Sequence, residues 1–272
     1  GALCADSSGR PSTAVVVASD RMVTHGGITE FEHEKPKISE MSDRVVGLIA
    51  GDALRGNQLV RAIAATIPGA AATLQSVSGV AGAVYTEQRR LQIEGEIFAP
   101  RGISIQQFYQ GLQLQMQQQL AFAIDQQVAS FNYGVELLIG CVDDAGGSLI
   151  QVVNPGLVSD LSPIGFGAVG SGTIHALQSM IGFGHTGARA LSETVFSVYV
   201  SKRRAEVAPG VGRDTDLAIV NRDGIAYLDK TMLDQLESIY AEYQRPVSDE
   251  IKQRVAALPL LETEVKPDGN KQ

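Results

Sequence analysis

Few side chains in this sequence are suited to bond-breaking chemistry, and singly each has an ordinary reading. Asp20 closes the apolar run Val15-Val16-Val17-Ala18-Ser19, where an aspartate more often accepts turn hydrogen bonds than reacts. Lys37 follows Pro36 and by itself reads as a surface lysine. Gly51-Asp52 ends a second apolar run, Val45 to Ala50, and Asp52 is placed to cap a following helix. Gly170-Ser171-Gly172 reads as a tight turn with an N-capping hydroxyl, and a lone Gly-Ser-Gly is neither a nucleophile elbow nor a phosphate loop. The four histidines, His25, His33, His175 and His185, show no metal-ligand spacing and no matching acid and nucleophile. They read as polar loop or helix residues. Cys4 and Cys141 are too few for a disulfide framework and wrongly spaced for zinc, which favours a reducing compartment.

The elements that must position these residues follow from apolar periodicity. Gly1 to Ala5 and Thr13 to Ala18 read as a hairpin across the turn-rich stretch Asp6 to Ser12. A polar stretch, Thr24 to Glu34, precedes a strand or turn at Lys37-Ile38, and Val45 to Ala50 is a buried strand. Behind Asp52, Leu59, Val60, Ile63, Ala64 and Ile67 fall at helical spacing, and Gly69 stops that helix. A second helix is expected from Leu74 to Leu91, and one Gln-rich amphipathic helix from Ser104 to about Ala129. Strands are expected at Gly134 to Val142, Ser148 to Val153 and Gly165 to Val169, then helices from Thr173 and from Thr186 to Arg204. The latter aligns Leu191, Val195, Val198 and Lys202, and its basic end, Lys202-Arg203-Arg204, reads as a solvated turn. A hairpin of Leu217 to Asn221 and Ile225 to Leu228 turns at Arg222-Asp223-Gly224, and a charged helix starts near Thr231. Strands then helices then strands, with no linker or repeat, imply an α+β domain of two antiparallel sheets with helices outside. That domain is expected over residues 1–262, with a polar C-terminal tail at 263–272.

Composition narrows the function. At 272 residues and 44% hydrophobic, the chain supports a substantial core, and abundant glycine with no tryptophan suits a sheet-rich protein. A net charge of −8 without a basic cluster argues against nucleic-acid binding. No apolar run approaches the roughly 18 residues of a membrane span. Together these give the expectation of a cytoplasmic protein that binds neither nucleic acid nor membrane.

Order and spacing say more than any single motif. Val15 to Arg21, then Lys37-Ile38, then Gly47-Leu48-Ile49-Ala50-Gly51-Asp52-Ala53-Leu54 resembles the first third of a proteasome β-type subunit. The resemblance returns at Gly170-Ser171-Gly172-Thr173 and at Gly212 to Val220 with Asp223-Gly224. It covers most of the chain, and Leu74 to Gln127 is longer than that family usually shows. It implies the four-layer α/β/β/α sandwich of N-terminal-nucleophile hydrolases and a threonine-type peptidase needing no cofactor or metal. Such an enzyme attacks an amide with an N-terminal hydroxyl and uses its own α-amine as base. On this sequence the resemblance assigns the neighbouring lysine to Lys37, its orienting aspartate to Asp20 and the adjacent serine to Ser171. The oxyanion donor falls at Gly51, with Gly47 as the rival. Peptide or unfolded-protein substrates, a homo-oligomeric ring and an ATP-driven unfolding partner are what the family further implies.

The chain also departs from that pattern. Gly1 aligns about four residues into the family's first strand, so the threonine is expected just upstream of Gly1. A second aspartate and serine pair falls at Ala205 and Ala208 beside Glu206, and Met22 replaces a usual arginine. Cys4 would be an alternative nucleophile after cleavage at Leu3, although Asp6 to Ser12 is poor strand sequence. The competing functions are a non-catalytic ring subunit and a divergent amidase or transpeptidase.

Overall fold

In the computed structural model, residues 1–5, 9–25, 29–32, 36–69, 72–244 and 253–254 are described. His33, Asp6 to Ser8 of the expected first turn and the expected tail at 263–272 lie outside them. In chain order, β1 (Ala2–Cys4) and β2 (Ala14–Ser19) form the first hairpin, and β3 (Met22–His25) and β4 (Thr29–Glu32) form a second. β5 (Ile38–Ser42) and β6 (Val45–Gly51) precede α1 (Ala53–Thr66), α2 (Leu74–Ile93), α3 (Ile105–Tyr109) and α4 (Gln118–Ala129). β7 (Val135–Val142), β8 (Gly147–Val153) and β9 (Leu157–Asp160) follow, then α5 (Thr173–Gly182), α6 (Leu191–Ala205), β10 (Asp216–Asn221) and β11 (Gly224–Tyr227). The chain divides into two compact units, Gly1–Asp229 and Lys230–Gln272, and the second begins with α7 (Lys230–Tyr243).

The strands of the first unit make two main antiparallel sheets, in the orders β1-β2-β10-β11 and β5-β6-β7-β8-β9. Alternation along the strands gives each sheet two buried faces. Leu3, Val15, Val17, Ala218 and Val220 of the first sheet meet Val46, Leu48, Leu138 and Leu149 of the second in one core. On the outer face of the second sheet, Leu137, Ile139 and Val152 pack with Leu59 and Ile63 of α1 and Val77 and Tyr85 of α2. Tyr85 adds a 2.7 Å hydrogen bond to the Val135 carbonyl, which ties α2 to the start of β7. α6 lies against β1 and β2, with α5 packed beside it.

Several elements differ from the sequence expectation. The polar stretch after Asp20 contains the β3–β4 hairpin, and β9 extends the second sheet where no strand was expected. The Gln-rich helix is broken, because Gly111 adopts φ 130° between α3 and a short 3₁₀ turn at Leu112–Leu114. Phe98, Phe108 and Ile124 then close a small satellite core. α6 starts at Leu191 because the segment before it braces β1: Ser12 donates to the Gly187 carbonyl at 2.7 Å and Ala5 to the Arg189 carbonyl at 2.8 Å. Gly165 to Val169 is no strand and makes one bridge to β1, Phe166 opposite Ala2.

Candidate active site

One cavity of about 1840 Å³ opens at the end of the space between the two sheets, and Asp20, Lys37, Gly51 and Ser171 all line it. Asp20 is delivered by the end of β2 and Lys37 by the residue before β5. The Lys37 Nζ donates to Asp20 Oδ1 at 2.6 Å, and the same oxygen accepts the Met22 N–H at 2.6 Å. Both side chains of the pair are largely shielded, at 25% and 18% exposure, so the contact is less screened than a surface pair. Next to it, Arg21 grips Asp216 with two hydrogen bonds of 2.9 and 2.6 Å, tying the end of β2 to the start of β10.

The Gly51 turn is shaped by its backbone. Gly51 has φ 90°, and a Cβ there would collide with the Gly134 carbonyl oxygen. Asp52 then caps α1 by accepting from the Leu54 and Arg55 N–H groups at 2.9 and 3.0 Å. A helix N-terminus therefore starts at the cavity wall, where backbone dipoles favour negative charge. Gly47 is not among the lining residues; a Cβ there would meet Met41 and Val60, on the helix side of the sheet.

Ser171 does not cap α5. The cap is Gly172, with no side-chain cap hydrogen bond, while Thr173 holds the turn by donating to the Gly170 carbonyl at 2.7 Å. Ser171 is exposed at the cavity wall. The turn rests on the end of α6, since a Cβ on Gly172 would approach that of Ala205 to 2.8 Å.

The beginning of β1 also reaches the cavity at Gly1. Its amine donates to the Gly167 carbonyl at 2.8 Å, and burial pushes its pKa down to about 5. β1 is flanked by β2, with Ala2 opposite Val16, and by the Gly165–Gly167 segment, with Ala2 opposite Phe166. Carried backward, the first register runs along Ala18 and Ser19 to Asp20, and the second runs toward Gly170 and Ser171. Ser19 Oγ is buried in that slot and has no hydrogen-bond partner among the described residues. Cys4 is fully buried within β1 and is not a lining residue of the cavity.

Of the charged residues at this cavity that the sequence does not single out, Glu40, Arg61, Glu136 and Lys202, two bear on its chemistry. Lys202 is buried and does not form part of a solvated helix end. Its three protons meet Glu206 at 2.7 Å and the Gly212 and Arg213 carbonyls at 2.9 and 2.8 Å. Burial lowers its pKa, with Glu206 acting in the opposite sense. The available signal was its alignment with the apolar face of α6. The second is Glu136, a lone charge inside the apolar run Val135 to Val142, whose Oε2 accepts from the Gly170 N–H at 3.3 Å. Ala205 and Ala208 are both buried. Of the histidines, His185 is buried, with Nε2 2.9 Å from the Leu3 carbonyl oxygen.

The arrangement brings an ammonium–carboxylate pair, an exposed hydroxyl and a helix N-terminus to one concave site. Such a site can steady a developing anion and tune a nearby base. The sequence gives no match to any family model or to any curated protein.

Proposed function

We propose that the protein is a proteasome-like N-terminal-nucleophile hydrolase with the four-layer α/β/β/α architecture, cleaving amide bonds with a threonine carried just upstream of Gly1. The observation that carries this reading is the 2.6 Å Lys37–Asp20 pair, set where the two registers of β1 converge backward on Asp20 and Ser171. Strand geometry makes four further residues about 13 Å long. That length carries a terminus past the Ser19 hydroxyl to the space between Lys37 and Ser171.

In this mechanism the threonine hydroxyl attacks the substrate carbonyl carbon and passes its proton to the free α-amine. Lys37, oriented by Asp20, keeps that amine in its basic form through its positive charge. The Gly51 N–H and the start of α1 stabilise the tetrahedral oxyanion. The amine then protonates the leaving nitrogen as the C–N bond breaks, and water hydrolyses the resulting ester. Peptides or unfolded proteins are the substrate class, and a closed homo-oligomer in the cytoplasm, fed by an ATP-driven unfolding partner, is the working form.

The test uses the protein with its native upstream residues and a mature N-terminal threonine. It should cleave peptide amides and be labelled by an electrophile selective for N-terminal threonine, while the chain beginning at Gly1 should do neither. Lys37→Ala should lower kcat at least about a hundredfold, the scale of lost acid–base assistance, with the particle size by light scattering unchanged. Ala205 and Ala208, which carry no carboxylate or hydroxyl, favour divergence from the family's peptidases, and the second reading is a non-catalytic ring subunit. An inert protein that still assembles would establish that reading instead.

A further inference from the structure

β7 is the central strand of its sheet, and Glu136 is the single exposed residue of its eight. Alternation puts Glu136 on the same face as Leu138, which belongs to the apolar core between the sheets. Because it is exposed at the cavity, this carboxylate is reached by water and open to a cation; buried and unpaired on that face it would be strongly disfavoured. Glu136 stands at the end where the core opens into the cavity, opposite Ala50 and beside the Gly51 turn. Its hydrogen bond from the Gly170 N–H, at 3.3 Å, is long and satisfies one oxygen only. The other carboxylates of the cavity are engaged: Asp20 by Lys37, Asp52 by the first turn of α1 and Glu40 by the Tyr227 hydroxyl. Among the described residues Glu136 has no ion-pair partner. It is therefore an uncompensated negative charge between the Gly51 and Gly170–Ser171 turns, with one wall of low-dielectric core that limits screening.

We propose that Glu136 is the cation-recognising group of this cleft and pairs with a lysine or arginine side chain of the substrate, giving a preference for basic peptides. The assignment of substrate as peptide rests on the hydrolase reading above. The position of Glu136 beside both turns places the recognised side chain close to the bond being cut. Glu136 is a specificity residue here, and no proton transfer is assigned to it.

The experiment pairs turnover with binding, using the protein with its native upstream residues. Matched peptides carrying Lys, norleucine or Glu at each position around the scissile bond are compared by kcat/KM. The same peptides are titrated into isotope-labelled protein and followed by chemical shift, a readout that needs no turnover. Lys over norleucine should be favoured about tenfold or more, as for a charge-assisted hydrogen bond. Glu136→Gln, nearly isosteric, should bring that ratio close to one, Glu136→Lys should shift preference to the Glu peptide, and added salt should weaken the wild-type preference. Equal affinity for Lys and norleucine peptides in the wild type overturns the inference whether or not cleavage occurs. So does a preference that survives Glu136→Gln, or one that follows the peptide's free amino terminus and not its side chain. Glu136-dependent binding without cleavage would uphold the inference and sink the hydrolase reading.

Discussion

At the scale of single residues, the cavity is organised by charges held inside the protein. Lys202 shows the energetics most clearly. Its ammonium is met by one carboxylate and two carbonyls, so the loop from Glu206 to Arg213 is stapled to α6. Removing one partner of a buried pair costs about 3–5 kcal/mol because the other is left uncompensated. Glu206 keeps Arg203 at 3.0 Å, which lowers that cost. Lys202→Met should therefore destabilise by about 2–3 kcal/mol, seen as a lower denaturant midpoint at constant slope. A double change with Glu206→Gln should recover part of it. Order along the chain pointed to Asp20, Lys37, Gly51 and Ser171, and the fold brings all four to one cavity. The sequence hid Lys202, because the three basic residues at a helix end resemble a solvated turn until the opposing carbonyls of residues 212 and 213 are folded against them. Glu136 was hidden because one charge inside an apolar run carries no local signal until the Gly170 turn is folded beside it.

At the scale of elements, site geometry is set by how strands end. β6 stops at Gly51 because the backbone must turn at φ 90° under the Gly134 carbonyl, and Asp52 immediately starts α1. Gly51→Ala meets both a strained φ and a backbone collision, so the turn must move. The expected result is a loss of about 1–3 kcal/mol in stability. Amide exchange should rise at the start of α1 and at residues 134 and 135, while the β1–β2 pairing keeps its protection. Unchanged protection across the α1 start would show that the turn does not depend on glycine. Local patterns made α1, α2, β2, β6, β7 and β8 readable, since period and burial agree in each. They failed where tertiary contacts override local preference. Residues 186 to 190 continue a helical pattern yet serve as an edge for β1, and Gly111 ends a helix whose apolar period runs on. β9 is short and half exposed, so it carries little apolar signal, and its identity comes from pairing with β8.

At the scale of the whole first unit, β1 is the piece that joins both sheets, the α5–α6 connection and the cavity. His185 sits at that junction. Its Nε2–H donates to the Leu3 carbonyl at 2.9 Å, the Phe166 ring lies edge-on at 6.0 Å, and Nδ1 is buried with no partner among the described residues. Burial holds its pKa below the usual histidine value, the Leu3 bond opposes that shift, and Arg189 adds to it. Protonation would place a second N–H where the described residues supply no acceptor. Because the folded pKa is depressed, the unfolded chain binds more protons between that pKa and about 6.5. The contribution of His185 to stability should therefore be fully present above pH of about 6.5 and be lost as pH drops through the folded value. In the chain beginning at Gly1, the buried amine acts with the same sign from its ordinary range down to about 5. His185→Leu should start from a lower stability at neutral pH, having lost the bond to Leu3, and show a flatter dependence below pH of about 6.5. Chemical denaturation across pH 5 to 8 separates the contributions. Acetylating the Gly1 amine should remove only the part that persists in His185→Leu. If wild type and His185→Leu lose stability in parallel on acidification, His185 is not the group that couples protons to this strand.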